Sequence, residues 1–146
     1  MKMKFAMALA LVLAILPLAL QATQEKPLRI GIAQFADHPS LDNCRDGFLQ
    51  GLKEAGFEDG KNISVNYRNA QADMGTAALI ASSFVDNGYD LICAIATPMA
   101  MTAVNAADGK IPVVYSAVSA PVEAGLAKPD GLSSSNATGT SDQLPI

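Results

Sequence analysis

From Leu28 onward the chain alternates short runs of branched aliphatic residues with stretches of helical period, and this alternation restricts the fold more than any other feature. Leu28 to Gln34 reads as a buried strand. Ser40 is placed to cap a helix whose apolar side is Leu41, Cys44, Phe48, Leu52 and Ala55. Gly56 supplies a left-handed stop, and Phe57 folds back on the last turn. Asn62 to Arg68 alternates Ile63, Val65 and Tyr67 against polar neighbours, the mark of a strand with one wetter face. Asp73 caps a second helix that turns Ala77, Ile80, Ala81 and Phe84 inward and ends at Asn87-Gly88. A third strand follows from Asp90 to Ala96. Thr97 then caps a third helix, with Pro98 at its first position, running to about Ala107. Ile111 to Tyr115 forms a fourth strand, with Pro112 near its start where a missing N–H is tolerated. Residues 128–146, rich in glycine and serine, are loop-like, with room for one short strand near Asn136-Ala137-Thr138. Strands separated by helices demand parallel pairing with helices on both faces. Right-handed crossovers then make the fold an α/β, doubly wound parallel sheet of flavodoxin-like type.

Upstream of this unit lies a segment of another kind. Lys2 and Lys4 precede an uncharged apolar run from Phe5 to Leu20, which gives way to polar residues after Ala22. A basic start, a short apolar run and a small residue at the exit describe a secretory signal peptide over residues 1–22. As a helix the run spans about 24 Å, short of the roughly 30 Å hydrocarbon core, so a retained membrane anchor is the weaker reading. No cysteine stands near the junction, which disfavours a lipid-anchored product. The expected location is therefore periplasmic or secreted.

Composition removes several function classes. The 10 basic and 14 acidic residues leave a net charge of -4, with Lys and Arg scattered singly, so no electrostatic footprint for nucleic acid exists. Trp is absent and aromatic residues make up only 5%, too few for a base-stacking surface. One His and two distant Cys do not make a metal site. Export would permit a disulfide, but Cys44 on the inner side of a helix and Cys93 in a central strand read as small buried hydrophobes. Neither G-x-G-x-x-G nor G-x-x-x-x-G-K-[ST] nor G-x-S-x-G occurs, so dinucleotide, nucleoside triphosphate and hydrolase-elbow sites have no support, and no cofactor is implied.

In open α/β sheets ligands bind at the carboxyl ends of the strands. Gln34 closes the first strand and leads through Asp37 to His38; Thr97-Pro98 follows the third; Ser116 and Ser119 belong to the end of the fourth. Thr97 and Pro98 stand at a helix start, whose free N–H groups suit a carboxylate or other small anion. His38 either donates to a ligand or fixes its own loop. Asp42, in the first helical turn, is accounted for by the helix dipole. Nothing pairs a nucleophile with a base.

Several segments together resemble the ABC-transporter substrate-binding proteins of the tryptophan/tyrosine type, with a periplasmic-binding-protein type 1-like fold. They are Ile32-Ala33-Gln34 with His38-Pro39-Ser40-Leu41-Asp42, Gly47-Phe48 through Gly56, and Gly60-Lys61-Asn62-Ile63. Asn69-Ala70-Gln71, Asp90-Leu91-Ile92 through Ala96-Thr97-Pro98, Ile111-Pro112-Val113-Val114 and Asn136-Ala137-Thr138-Gly139 continue the likeness, which covers about residues 28–142. Each motif is weak alone, and their order and spacing make the resemblance specific. It implies two α/β lobes joined by a hinge, closing on a small-molecule ligand and presenting it to a membrane permease. Residues 23–139 would then form the first, ligand-binding lobe. Residues 140–146 would begin the crossover to a second lobe that this chain lacks. The resemblance has one departure: where the family has Thr-Asp-Pro after the fourth strand, this chain has Ser119-Ala120-Pro121, so a carboxylate that could meet a ligand's amine is missing.

The sequence-level conclusion is a non-enzymatic receptor component of an ABC importer, or a fragment of one, holding a small organic ligand through Gln34, His38, Thr97, Pro98, Ser116 and Ser119. Two other readings stay open from the residues: an exported α/β enzyme, and a fragment without function.

Overall fold

The computed structural model describes residues 26–142, so the expected signal peptide lies outside the described residues. Five strands form one sheet: β1 (Leu28–Gln34), β2 (Ile63–Asn69), β3 (Leu91–Ile95), β4 (Val113–Val118) and β5 (Ala137–Ser141). Three helices connect them: α1 (Pro39–Glu54), α2 (Met74–Asp86) and α3 (Thr97–Ala107). The strand order is β2-β1-β3-β4-β5 and every pairing is parallel. This is the flavodoxin-like doubly wound order, with its topological switch point between β1 and β3. No helix among the described residues is long and apolar enough to cross a membrane.

The side-chain alternation of β1 divides the core. Ile30 and Ile32 point to the face covered by α1, where they join Ile63, Cys93 and Ile95 under Leu41, Phe48, Leu49 and Leu52. Ala33 points to the opposite face, where α2 and α3 lie side by side. There α2 buries Ala77, Ile80, Ala81 and Phe84, the four residues its spacing selects, and α3 buries Met99, Ala100, Ala103 and Ala107. The crossover from β4 to β5 contains no helix and adds the buried Leu126 to this second face. By contrast α1 has no fully buried residue, and Ala55, expected inward, is its exposed C-cap. Two glycines are demanded by close approach. A Cβ on Gly31 would stand 2.6 Å from the ring of Phe84, and one on Gly139 would stand 2.1 Å from the Tyr115 carbonyl oxygen.

Helix ends obey the local signals with two corrections. Asp73 caps α2 by accepting from the Thr76 N–H at 2.6 Å. Gly56, at φ +87°, ends α1, and the Phe57 N–H returns to the Leu52 carbonyl at 2.9 Å, completing a Schellman turn. However, α1 is capped by His38 and not by Ser40: Pro39 is its first residue, and the Asp42 N–H bonds to the His38 carbonyl at 3.0 Å. Likewise Thr97 is the first residue of α3 and Pro98 its second. The first helical acceptor is the carbonyl of Ala96, which receives the Ala100 N–H at 2.9 Å. Strand β4 begins at Val113, after Pro112, whose carbonyl accepts from Ile92 but which has no N–H to donate. The short strand expected near residue 137 is β5, which runs on to Ser141, past the expected start of the crossover at residue 140.

Candidate functional site

Two of the sequence-selected residues, Gln34 and Ser116, share one row of the sheet. Gln34 is the register partner of Ile95, and Ile95 is the partner of Ser116, so the ends of β1, β3 and β4 lie side by side. In a parallel ladder such partners send their side chains to the same face, here the α1 face. One residue beyond Ile95 comes Ala96, and then Thr97 at the head of α3. Gln34 and the Ala96-Thr97 junction thus flank the switch point, where the crossovers leaving β1 and β3 diverge to opposite faces.

Around this row the backbone is bent into unusual conformations. Ala96 has φ +82° and ψ 150°, a region that side chains avoid. Ala117 is at φ +54°, and Gln71 and Ala72 are at +53° and +60°. These residues sit at the carboxyl ends of β3, β4 and β2. At Ala117 the β4–β5 register breaks, and alternation inverts: Ala117 joins the α1-side cluster while Val118 is buried on the other. The turn at Gln71-Ala72 is fastened to the loop after β1, since the Ala72 N–H donates to the Phe35 carbonyl at 2.8 Å.

Each predicted residue has a definite place. Gln34 is fully buried; its Nε2 donates to the Ala36 carbonyl at 2.8 Å and to Asp42 Oδ1 at 3.0 Å, and its Oε1 has no partner. His38 is exposed, and its Nδ1 accepts from the Ser40 N–H at 3.2 Å, so it organises the entry to α1. Thr97 and Pro98 are half-buried, and no side chain caps the first turn of α3. Ser116 lies within β4 rather than beyond it. Its hydroxyl meets that of Thr140 at 3.4 Å, and it borders a cavity of about 350 Å³ between α1 and the β4–β5 edge. Ser119 is exposed just past the end of β4. Gln34, Thr97, Pro98, Ser116 and Ser119 therefore gather at one end of the sheet, with Ser116 level with Gln34 and His38 serving its own loop.

Sequence reasoning overlooked a polar network beside this row. Asp42 Oδ1 accepts from Gln34 and also from Arg45 Nη1 at 3.0 Å. Arg45 further pairs with Asp46 at 2.9 Å and lies 5.0 Å over the ring of Tyr67. The Asp46 carboxylate, above all, holds the guanidinium more firmly protonated than usual. Asn69 Nδ2 donates to the Tyr67 hydroxyl at 3.1 Å and to Asp37 Oδ1 at 2.6 Å. The available signal was the equal parity of Tyr67 and Asn69 on β2, which places both on the α1 face. These contacts set the positions of the side chains around the row. What the rim offers is neutral hydroxyls, an amide and the start of a helix, the means to hold a small polar molecule.

Comparison with known proteins shows the family. The family model described as ABC transporter substrate binding protein matches residues 29–146. A Tyrosine-binding protein of Clostridioides difficile (strain R20291) is 48% identical over 122 residues, which are 84% of this chain and 35% of that protein. The ligand-free, open structure of a substrate-binding protein with adhesive properties from Clostridium difficile superposes with a TM-score of 0.77 at 46% identity. It covers 82% of this chain and 40% of the other. An ABC domain from Streptococcus pneumonia in complex with L-Trp gives 0.74 at 34% identity, over 80% and 39%. This chain thus spans little more than a third of the relatives' length, and its fold corresponds to one of their lobes. It belongs to the ABC transporter substrate-binding protein family.

Proposed function

We propose that this chain is the ligand-holding first lobe of an extracytoplasmic receptor serving an ABC importer, exported by the leader at residues 1–22, and that it performs no catalysis. The ligand is a small organic molecule of the amino-acid class, in keeping with the tyrosine and tryptophan named for its relatives. It rests on the rim made by Gln34, His38, Thr97, Pro98, Ser116 and Ser119. A membrane permease is the partner that receives it. The observation that supports this most is the pairing of Gln34 with Ile95, which sets it beside the Ala96-Thr97 junction at the β1/β3 switch point. The first turn of α3 has no side-chain cap, which suits it to a carboxylate.

One lobe covers only part of a ligand, whereas small-molecule sites bury about 70–90% of theirs. Calorimetry with L-tyrosine and L-tryptophan is therefore expected to show no tight binding by this chain, and tight binding once a second lobe from a relative is appended. Submicromolar affinity in the single lobe would refute the two-lobe requirement. In a titration at millimolar ligand, amide resonances of the non-proline residues within 34–40, 97–99 and 116–121 should move. Movement confined to the amino ends of the strands would overturn the assignment of the site.

A further inference from the structure

Gln34 carries a polar imbalance that the rest of the site does not explain. Both hydrogens of its amide nitrogen are spent, on the Ala36 carbonyl at 2.8 Å and on Asp42 Oδ1 at 3.0 Å. The amide cannot be turned over, because its oxygen would then face a carbonyl and a carboxylate. Its Oε1, closed to solvent, is left without a donor. An amide oxygen already stripped of water gives up no hydration when a donor reaches it. Asp42 is itself held, by Arg45 Nη1 at 3.0 Å, and Arg45 is braced by Asp46 and Tyr67. The acceptor that fixes the amide is thus fixed in turn.

We propose that Asp42 is a positioning residue of the site. By holding the Gln34 amide with its nitrogen turned to the loop, it reserves an oxygen for the ligand, and the site selects a molecule bearing a hydrogen-bond donor, the ammonium group of an amino acid. The inference rests on the ligand site proposed above. Contact with a closed oxygen requires local movement of the rim, so recognition of the donor is coupled to the loop at residues 35–38, which carries the Ala36 anchor. A site built around an acceptor rejects a ligand that leaves it unpaired far more strongly than it rejects a change of size.

The test is a nuclear magnetic resonance titration of the whole chain with L-tryptophan, tryptamine and indole-3-propionate, which differ in ammonium and carboxylate. In the native sequence the molecule without the ammonium should bind at least about tenfold more weakly than tryptophan. Its addition should also leave the Gln34 side-chain amide and residues 35–38 unshifted. Gln34→Met keeps the shape but removes the oxygen, and should bring tryptophan and indole-3-propionate within about twofold of each other. Asp42→Ala should lower the discrimination to below about threefold, while Asp42→Asn, which still accepts from Gln34 and Arg45, should restore it. Equal weakening of all three probes in Asp42→Ala, with the ratio intact, overturns the proposal and leaves Asp42 a structural residue. Should Asp42→Ala not fold, a ratio retained in Gln34→Met overturns it as well. If no probe moves any rim resonance, the ligand site itself is refuted; binding without discrimination refutes only the role of Asp42.

Discussion

At Ala96 a side chain occupies backbone space that glycine alone enters freely: φ +82° with ψ 150°. A residue held there costs on the order of 1–3 kcal/mol, which surrounding structure must offset. Here the Ala96 N–H is bonded to the Ser116 carbonyl at 3.0 Å and its carbonyl opens α3, so the conformation is fixed from both sides. Ala96→Gly removes the strain but adds chain entropy to the unfolded state, a loss of about 0.5–1 kcal/mol. The net expectation is a gain of about 1 kcal/mol in unfolding free energy, measured by urea titration at pH 7. A destabilised Ala96→Gly would mean that the alanine methyl contributes packing larger than the strain. Nothing in the sequence marks this position. Thr-Pro was legible as a helix start, yet which residue serves as cap depends on where the preceding strand releases the chain, and that is set by β4. Gln34 was legible as a site residue from its place at a strand end. Its burial and its tie to Asp42 were not, since an acidic residue in a first helical turn is explained well enough by the dipole.

Elements were read more securely than residues because spacing averages over many positions. The inward stripe of α2 came out residue for residue, and its caps at Asp73 and Asn87-Gly88 fixed both ends. Strand β4 shifted because apolar residues on both sides of Pro112 look continuous, while the ladder starts only where an N–H can be donated. The inversion at Ala117 escaped notice because a left-handed alanine carries no compositional mark. How α2 docks on β1 gives a test at this scale. Phe84 is 2% exposed, tilts against Tyr89 with ring centroids 4.7 Å apart, and lies where a Gly31 Cβ would be. Gly31→Ala must therefore displace the ring from a packed layer, at a cost of about 1–3 kcal/mol by chemical denaturation. Adding Phe84→Leu should return part of that loss. If Gly31→Ala proves neutral, α2 does not press on the sheet at this point.

The whole molecule is a sheet with unequal faces. Strand order and class were legible, because alternating strands and helices with right-handed crossovers leave few arrangements. The inequality of the faces was not, since it follows from a β4–β5 crossover that places Leu126, and no helix, on the α2–α3 side. Only α1 covers the other face among the described residues, and a cavity of about 350 Å³ remains beside it, bordered by Cys44, Phe48, Cys93 and Val114. The two thiols report on that arrangement. Cys44 is half-buried on the helix flank, whereas Cys93 is buried in β3. Burial, and secondarily the neighbouring Cys44, pushes the Cys93 thiol up to about 12 from its ordinary 9.0. Reaction with a disulfide reagent needs access and a thiolate. At pH 8 the native chain should therefore release one equivalent of the reagent's thiol quickly, and the second only as fast as the molecule opens. Cys44→Ala should abolish the fast phase. The same shift acts on stability with a definite sign. Below pH 9 the Cys93 thiol is protonated in both states and contributes no pH dependence. Between about 9 and 12 the unfolded chain loses a proton that the native chain keeps, so unfolding free energy falls by up to about 1.4 kcal/mol per pH unit. Cys93→Ala should remove that decline, which the difference between the two stability curves isolates from other alkaline titrations. Equal reactivity of both thiols in the native protein would mean that α1 does not seal β3, and the layered arrangement on that face would have to be abandoned.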